Sequence, residues 1–231
     1  MNKLKGTPKY LPIVDKFEFL EYESARSSCS DNKKMDMGGN KLKSMLEMFV
    51  NIPNHRKLIF VADRDVEDIV KKFTENGQYK HHMVGNYDSN VYSFAIPVPP
   101  HRKEDDSICI EHYYTDSEIR TPKVINDLER HIFLGCDFND SGFGQGPYEA
   151  FFCNTPGVCG TKNRIKIIDG SNNIRISKLN QKGEGDNYAL SKNEFANAIL
   201  CEEGDFSKIS SESFSLIFDV LLEILTKESN K

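Results

Sequence analysis

The sequence lacks several features that would assign it to a class at once. No apolar run approaches the roughly 20 residues needed to cross a bilayer, so we expect no membrane partner. No apolar core follows the lysines of residues 1–6, and a signal peptide is therefore not expected. The net charge of -5 argues against broad electrostatic capture of nucleic acid, but it leaves open a local basic groove or a metal-mediated phosphate site. Six cysteines without a tight framework predict mostly reduced thiols and a cytoplasmic protein.

Several familiar site motifs are missing as well. The Gly-rich segment 142–146 has no Gly-Lys-Ser/Thr and no strand before it, so we interpret it as a flexible loop rather than a phosphate-binding loop. The spacings among Cys136, Cys153 and Cys159 are longer than the C-x₂₋₄-C pairs of structural zinc modules. No Ser-His-Asp or Cys-His arrangement stands out either. These absences favour a site of another kind.

What the sequence does contain is a short apolar run that ends in two aspartates. Residues 58–61 fit a buried strand because they are apolar and include β-branched and aromatic side chains. Asp63 and Asp65 follow this strand, at the end where ligand sites lie in open α/β sheets. Two carboxylates in this position can share a hard divalent cation such as Mg²⁺ or Mn²⁺.

The first third of the chain alternates strands and helices. Residues 17–22 are predicted as a strand, one helix opens after Gly38-Gly39, and another follows Asp65. The apolar stripes of the two helices are Leu42, Met45, Leu46 and Phe49, and Val66, Ile69, Val70 and Phe73. This order is typical of a parallel sheet with crossover helices.

Two longer strands are predicted further along. One covers residues 91–96 and the other residues 107–114. In the second strand, Cys109 and Glu111 would share one face, because side chains alternate along a strand. Shorter strands are predicted at residues 132–134 and 164–168.

The second half of the chain is predicted to be less regular until its end. Residues 139–187 are rich in Gly, Asn, Asp and Pro and are predicted to form an irregular insertion. Two helices then close the chain, and the first opens with the capping-box pattern of residues 191–194. We therefore predict a single α/β domain over residues 1–231, with a mainly parallel sheet flanked by helices.

The strand ending in Asp-x-Asp, with a Gly-Gly-opened helix before it and a helix after it, resembles the Toprim domain. Over roughly residues 15–73 it looks most like the Toprim-like nuclease domains of OLD-type and related prokaryotic defence proteins. The resemblance implies a Rossmannoid fold and Mg²⁺- or Mn²⁺-dependent cleavage of phosphodiesters, with metal bound by Asp63 and Asp65. It also implies nucleic acid as substrate, DNA rather than RNA, and an ATPase partner protein in phage defence.

One part of the family pattern is absent. The family's first strand ends in Glu-Gly, and no such motif lies before Phe17. Either Glu21 or Glu23 replaces that glutamate, or the chain is a truncated or degenerate member. Glu111 is a further candidate for an acidic metal ligand. Lys192, at the start of a helix similar to a late OLD-type helix, would stabilise charge on phosphate.

Each candidate residue also has a purely structural interpretation. Asp63 could form an ion pair with a neighbouring arginine, and Asp65 could cap the following helix. Glu111 and Lys192 could simply be solvated. Two functional hypotheses follow: a metal-dependent nuclease, and a non-catalytic regulatory or partner-binding module that keeps the Toprim-like fold.

Overall fold

A computed structural model describes residues 7–14, 39–74, 82–83, 89–103, 107–170, 174–181 and 185–226. The predicted strand at residues 17–22, which contains Glu21, lies outside these ranges, as do Glu23 and Gly38. The chain divides into two compact units. Unit one comprises Met1–Val98 with Phe214–Lys231, and unit two comprises Pro99–Ser213. A compact unit need not fold alone, so the single domain stays a prediction.

The described residues form short strands and short to medium helices. The helices are α1 (Leu11–Val14), α2 (Gly39–Phe49), α3 (Glu67–Phe73), α4 (Asp116–Ile119), α5 (Lys192–Leu200) and α6 (Ser215–Thr226). The strands are β1 (Leu58–Ala62), β2 (His82–Met83), β3 (Val91–Ala95), β4 (Lys123–Ile125), β5 (Leu128–Arg130), β6 (Phe133–Leu134), β7 (Phe151–Cys153), β8 (Ile167–Ile168) and β9 (Ile176–Lys178). Within the described ranges, no helix is long and apolar enough to cross a membrane.

Unit one contains a three-stranded sheet in the order β1-β3-β2. Strands β1 and β3 are parallel, and β2 runs antiparallel to β3. All five residues of β3 are buried, which agrees with the continuous apolar sequence expected of a covered strand. The strands predicted at residues 58–61 and 91–96 are confirmed, but β1 is only partly buried, because Val61 is 37% exposed.

Helices α2 and α3 pack with β1 and β3 in one apolar cluster. Its buried members are Leu46, Phe60, Ala62, Ile69, Phe73 and Val91. Leu42, Met45 and Phe49 pack against it, so the predicted stripe of α2 is confirmed. Val66 departs from the predicted stripe of α3, because it lies at the N-cap and is 46% exposed.

The second helix predicted at the end of the chain is confirmed as α6. Its apolar face packs with Tyr10 and Ile13, and the partly buried residues of that face are Phe218, Leu221, Leu222 and Leu225. The Tyr10 hydroxyl donates a hydrogen bond to Asp219 at 2.6 Å. The segment around α1 thus belongs to the same unit as α6 because of apolar burial together with one side-chain hydrogen bond.

The described residues of unit two form three separate antiparallel pairs, β4-β5, β6-β8 and β7-β9. Two apolar clusters support them. One contains Cys109, Ile119, Ile132, Leu134, Ile167, Leu190, Phe195, Ala198, Phe206 and Ile209. The other contains Phe133, Phe138, Cys153, Cys159, Ile168, Ile176 and Ala189. Strands β6 and β8 lie within the short strands predicted at residues 132–134 and 164–168, whereas β7 and β9 lie in the part of residues 139–187 that the sequence predicted to be irregular.

The predicted mainly parallel, Rossmannoid sheet is wrong. Among the described strands, β1 and β3 form the parallel pair, and the other pairings are antiparallel. Parallel neighbours need a crossover of a dozen or more residues, usually a helix, whereas the strands of unit two are two or three residues long and pair across loops. The strand predicted at residues 107–114 is also wrong, because Ile110–Tyr113 is a 3₁₀ helix.

Candidate functional site

Asp63 and Asp65 lie directly after β1. Asp63 is half-buried and Asp65 is exposed. Because β1 and β3 are parallel, their carboxyl ends meet at the same edge of the sheet. The pairing continues to this edge, where the Ile96 N–H donates to the Ala62 carbonyl at 2.9 Å. The two aspartates therefore lie just beyond the carboxyl edge of a parallel strand pair, which is the usual place for a ligand in an α/β sheet.

The proposed structural role of Asp65 as a helix cap is wrong. Helix α3 begins at Glu67, and its N-cap residue is Val66, which makes no side-chain capping bond. Glu67 and Asp68 occupy the first turn of α3, where negative charge is favoured by the helix dipole. Glu67 also pairs with Lys71 at 2.6 Å. The segment after β1 is thus acidic, with Asp65 outside the helix.

No ready-made metal cluster accompanies these aspartates in the part of the chain that the structure describes. No three His, Cys, Asp or Glu side chains are grouped there so that they could hold a metal ion. Asp63 and Asp65 would therefore supply two carboxylates. Mg²⁺ is commonly bound by one or two carboxylates together with waters and substrate phosphate oxygens, so this donor set fits that ion.

Glu111 and Lys192, the other predicted site residues, meet in unit two. Lys192 Nζ lies 2.8 Å from Glu111 Oε2. The side chain of Glu111 is 13% exposed and that of Lys192 is 32% exposed, so neither is simply solvated. Asp63 and Asp65 belong to unit one, whereas the Glu111–Lys192 ion pair belongs to unit two.

The position of Lys192 is set by the start of helix α5. Ser191 Oγ accepts the Glu194 N–H at 3.1 Å, and the Glu194 carboxylate accepts the Ser191 N–H at 3.0 Å. This confirms the predicted capping box, which satisfies two backbone donors at once. The Lys192 N–H donates to Asp169 at 3.2 Å. Lys192 is therefore the first residue of a helix whose N-terminus is held by its capping box and by the hydrogen bond to Asp169.

Cys109 and His112 lie beside this ion pair, an arrangement that was not predicted from the sequence. The 3₁₀ helix Ile110–Tyr113 brings them together, with His112 Nδ1 2.9 Å from the Cys109 N–H and 3.1 Å from Cys109 Sγ. His112 Nε2 lies 2.8 Å from the Ile165 carbonyl, which can only accept, so Nε2 carries the proton. Burial lowers the pKa of His112 and favours its neutral form.

The ion pair and the cysteine are in direct contact. Lys192 Nζ lies 3.5 Å from Cys109 Sγ. We call Cys109, Glu111, His112 and Lys192 the Cys109 cluster. The predicted strand hid it, because a strand would put Cys109 and His112 on opposite faces. The Cys-x-x-His spacing was the available signal, since residues three apart align along a 3₁₀ helix.

Other polar side chains in unit two have structural roles. Asp137 is 5% exposed, and its carboxylate accepts hydrogen bonds from Arg120 Nη2 at 2.7 Å and from the Leu134 N–H at 2.8 Å. The His131 ring packs on Phe133, with ring centroids 4.0 Å apart. Burial lowers the pKa of His131 to about 4, so the ring is neutral near pH 7.

The cysteines that the structure describes do not assemble a zinc site. Cys153 and Cys159 form a disulfide. Cys109, Cys136 and Cys201 are not disulfide-bonded. The prediction of mostly reduced cysteines therefore holds for these three, while the bonded pair departs from it. A disulfide sulfur is not a thiolate, and the thiolate is the form that binds zinc.

Comparison with known proteins identifies no relative. No protein-family model matches the chain, and no curated protein and no solved structure matches it significantly. The resemblance to the Toprim domain therefore stays a prediction. It depends on Asp63, Asp65 and the elements around them.

Proposed function

We propose that Asp63 and Asp65 bind Mg²⁺ or Mn²⁺ and that the chain uses this cation to cleave phosphodiester bonds in nucleic acid, DNA in preference to RNA. The observation that supports this is the position of both carboxylates after β1, at the carboxyl edge of its parallel pair with β3. A bound cation would polarise a phosphoryl oxygen and activate water. The proposal keeps the defence-type nuclease activity and the ATPase partner that the Toprim resemblance implies.

The residues of this chain would contribute in different ways. Asp63 is half-buried beside the sheet edge, which would fix its carboxylate, while the exposed Asp65 would be open to solvent and substrate. Glu21 or Glu23 stays the sequence candidate for a third ligand. Glu111 and Lys192 are paired with each other in unit two, so this proposal assigns them no role at the metal.

The test is a cleavage assay on plasmid DNA and on RNA, with Mg²⁺, with Mn²⁺ and with a chelator. We expect cation-dependent cleavage by the wild type and its loss in Asp63→Asn and Asp65→Asn. Asp68→Asn is the matched control, because Asp68 is an exposed acid of the same segment that lies inside α3. No cleavage by the wild type, or equal cleavage by Asp63→Asn, would refute the nuclease.

A second candidate function is a non-catalytic regulatory or partner-binding module. The observation that favours it is the ion pair between Glu111 and Lys192, because the two residues expected to complete the catalytic site neutralise each other. Calorimetric titration with Mg²⁺ and Mn²⁺ separates the two candidates. Cation binding that needs Asp63, without cleavage, supports the module. The absence of cation binding contradicts the nuclease and leaves only a module that acts without a cation.

A further inference from the structure

A thiol and an amine lie side by side in the Cys109 cluster. Cys109 Sγ and Lys192 Nζ are 3.5 Å apart although 83 positions separate them in the chain. We propose that this pair is a modification site, at which a peroxide oxidises Cys109 and Lys192 then bonds to its sulfur. The site is distinct from the proposed cation site and does not depend on it.

Both atoms are held in place before any reaction. Glu111 holds Lys192 Nζ at 2.8 Å, and the capped start of α5 holds the lysine backbone. The Cys109 N–H is bonded to His112, and Cys109 is 5% exposed, so its sulfur has little freedom to move away. Groups held at reacting distance react much faster than separate molecules, because the translational and rotational entropy of bringing them together has already been lost.

The surrounding side chains can prepare the thiol. The thiolate is the reactive form, and a nearby cation favours it. His112 Nδ1, 3.1 Å from the sulfur, can accept a hydrogen bond from the thiol, and the Lys192 ammonium, 3.5 Å from the sulfur, stabilises the thiolate. The Lys192 side chain, whose amine contacts the sulfur, is 32% exposed, and movement of this side chain would let a small peroxide reach Cys109.

The first step is oxidation of the sulfur. The Cys109 thiolate attacks one oxygen of hydrogen peroxide, a sulfur–oxygen bond forms and the oxygen–oxygen bond breaks. The products are a sulfenic acid and, once the leaving hydroxide takes the thiol proton, water. The sulfur is oxidised and the peroxide is reduced.

The second step joins the two side chains. Lys192 gives a proton to Glu111, and its free amine attacks the sulfur of the sulfenic acid. A sulfur–nitrogen bond forms, the sulfur–oxygen bond breaks, and the departing oxygen leaves as water. A sulfenic acid is known to condense with a nitrogen in this way to give a sulfenamide. Overall, a thiol, an amine and one peroxide give one sulfenamide and two waters.

The test treats the folded wild-type protein with hydrogen peroxide, digests it without reductant and analyses the peptides by mass spectrometry. We expect a peptide pair that joins Cys109 to Lys192 and is lighter by two hydrogens than the separate peptides. A thiol reductant should reverse the link. Lys192→Arg should abolish it while keeping the positive charge, because a guanidinium stays protonated. Cys201→Ser, which removes an exposed thiol, is the matched control and should still form the link.

Two outcomes would overturn the proposal. One is recovery of Cys109 from the oxidised wild type as a thiol or a sulfinic acid on a peptide that is not joined to Lys192. The other is equal formation of the link in urea-unfolded wild type, because proximity in the fold would then not be the cause. Both measurements use the wild-type chain, so they do not depend on how well a variant folds.

Discussion

Unit one and unit two hold their polar side chains in place in different ways. In unit one, Asp63 and Asp65 follow a regular parallel strand that α2 and α3 cover with apolar side chains. In unit two, the buried Asp137 and His112 bind backbone groups directly. Short strands leave many backbone groups outside a ladder, and buried groups of this kind need a partner. Where strands are short, polar side chains therefore supply hydrogen-bond partners to backbone groups that no strand ladder pairs.

Asn187 illustrates this difference most fully. Its side-chain oxygen accepts the N–H groups of Ile176 and Ala189, and its side-chain nitrogen donates to the carbonyls of Gly170 and Ile174. One amide thus serves four backbone groups around β9. We therefore expect the stability of unit one to depend mainly on apolar burial and that of unit two also on such polar contacts.

The largest effect is expected for Phe73→Ala in unit one. Phe73 is fully buried between α3 and the sheet, so truncation leaves a cavity and should lower the free energy of unfolding by about 3–5 kcal/mol. Urea unfolding followed by circular dichroism measures it. Val124→Ala, at an exposed strand position, should change stability by less than about 0.5 kcal/mol. A comparable loss in both variants would contradict the packing argument.

In unit two, the corresponding loss is expected from a polar residue. Asp137→Ala removes the carboxylate from Arg120 and from the Leu134 N–H, and should lower the free energy of unfolding by about 3 kcal/mol. Asp205→Ala breaks an ion pair whose members are both exposed, so little change is expected there. If Asp137→Ala is as mild as Asp205→Ala in the same urea titration, the contrast between the units fails.

Titration of His131 in unit two should make the stability of the protein depend on pH. Its pKa of about 4 lies below the ordinary 6.5, so the unfolded chain binds the proton more readily than the native one. Its contribution is therefore complete above pH 6.5 and is lost as the pH falls towards 4, by up to about 3 kcal/mol. His131→Phe keeps the aromatic packing and should flatten this part of the stability profile. An unchanged profile would show that His131 does not titrate in this way.

The smallest effects are expected at helix starts. Ser191→Ala in unit two should cost about 1 kcal/mol, because it removes the capping bond of α5. Val66→Ser in unit one should instead stabilise the protein by about 0.5–1 kcal/mol, because Val66 has extended backbone angles but no side-chain cap to offer α3. Thermal unfolding of both variants checks the signs. Two changes of the same sign would contradict the capping argument.

The spacing of apolar residues predicted the elements whose apolar side chains pack into a single core. The helices α2, α3 and α6 and the strands β1 and β3 carry the apolar residues that the spacing placed on their buried faces. Periodicity failed between residues 107 and 114, where alternation suggested a strand and the chain forms a 3₁₀ helix. Short apolar segments fit either structure, and the packing of Cys109 into a distant cluster decided between them.

The candidate residues show the same limit. The sequence placed Asp63 and Asp65 after a strand, because strand and helix signals on both sides agree locally. It predicted Glu111 and Lys192 as separate candidates, but their ion pair spans 81 positions, a distance that no local pattern encodes. Cys109 and His112 have a Cys-x-x-His spacing, but this spacing indicates a contact only in a 3₁₀ helix, which the sequence did not predict here.

The sequence by itself determined the buried faces of the longer elements, the capping box of α5 and the acidic segment after β1, because each depends on residues within a few positions of one another. The tertiary structure alone decided the pairing of the strands, which is antiparallel in most of the sheets, and the assembly of the Cys109 cluster. Both depend on contacts between distant segments, whose energies come from burial and from partners that no short stretch of sequence contains.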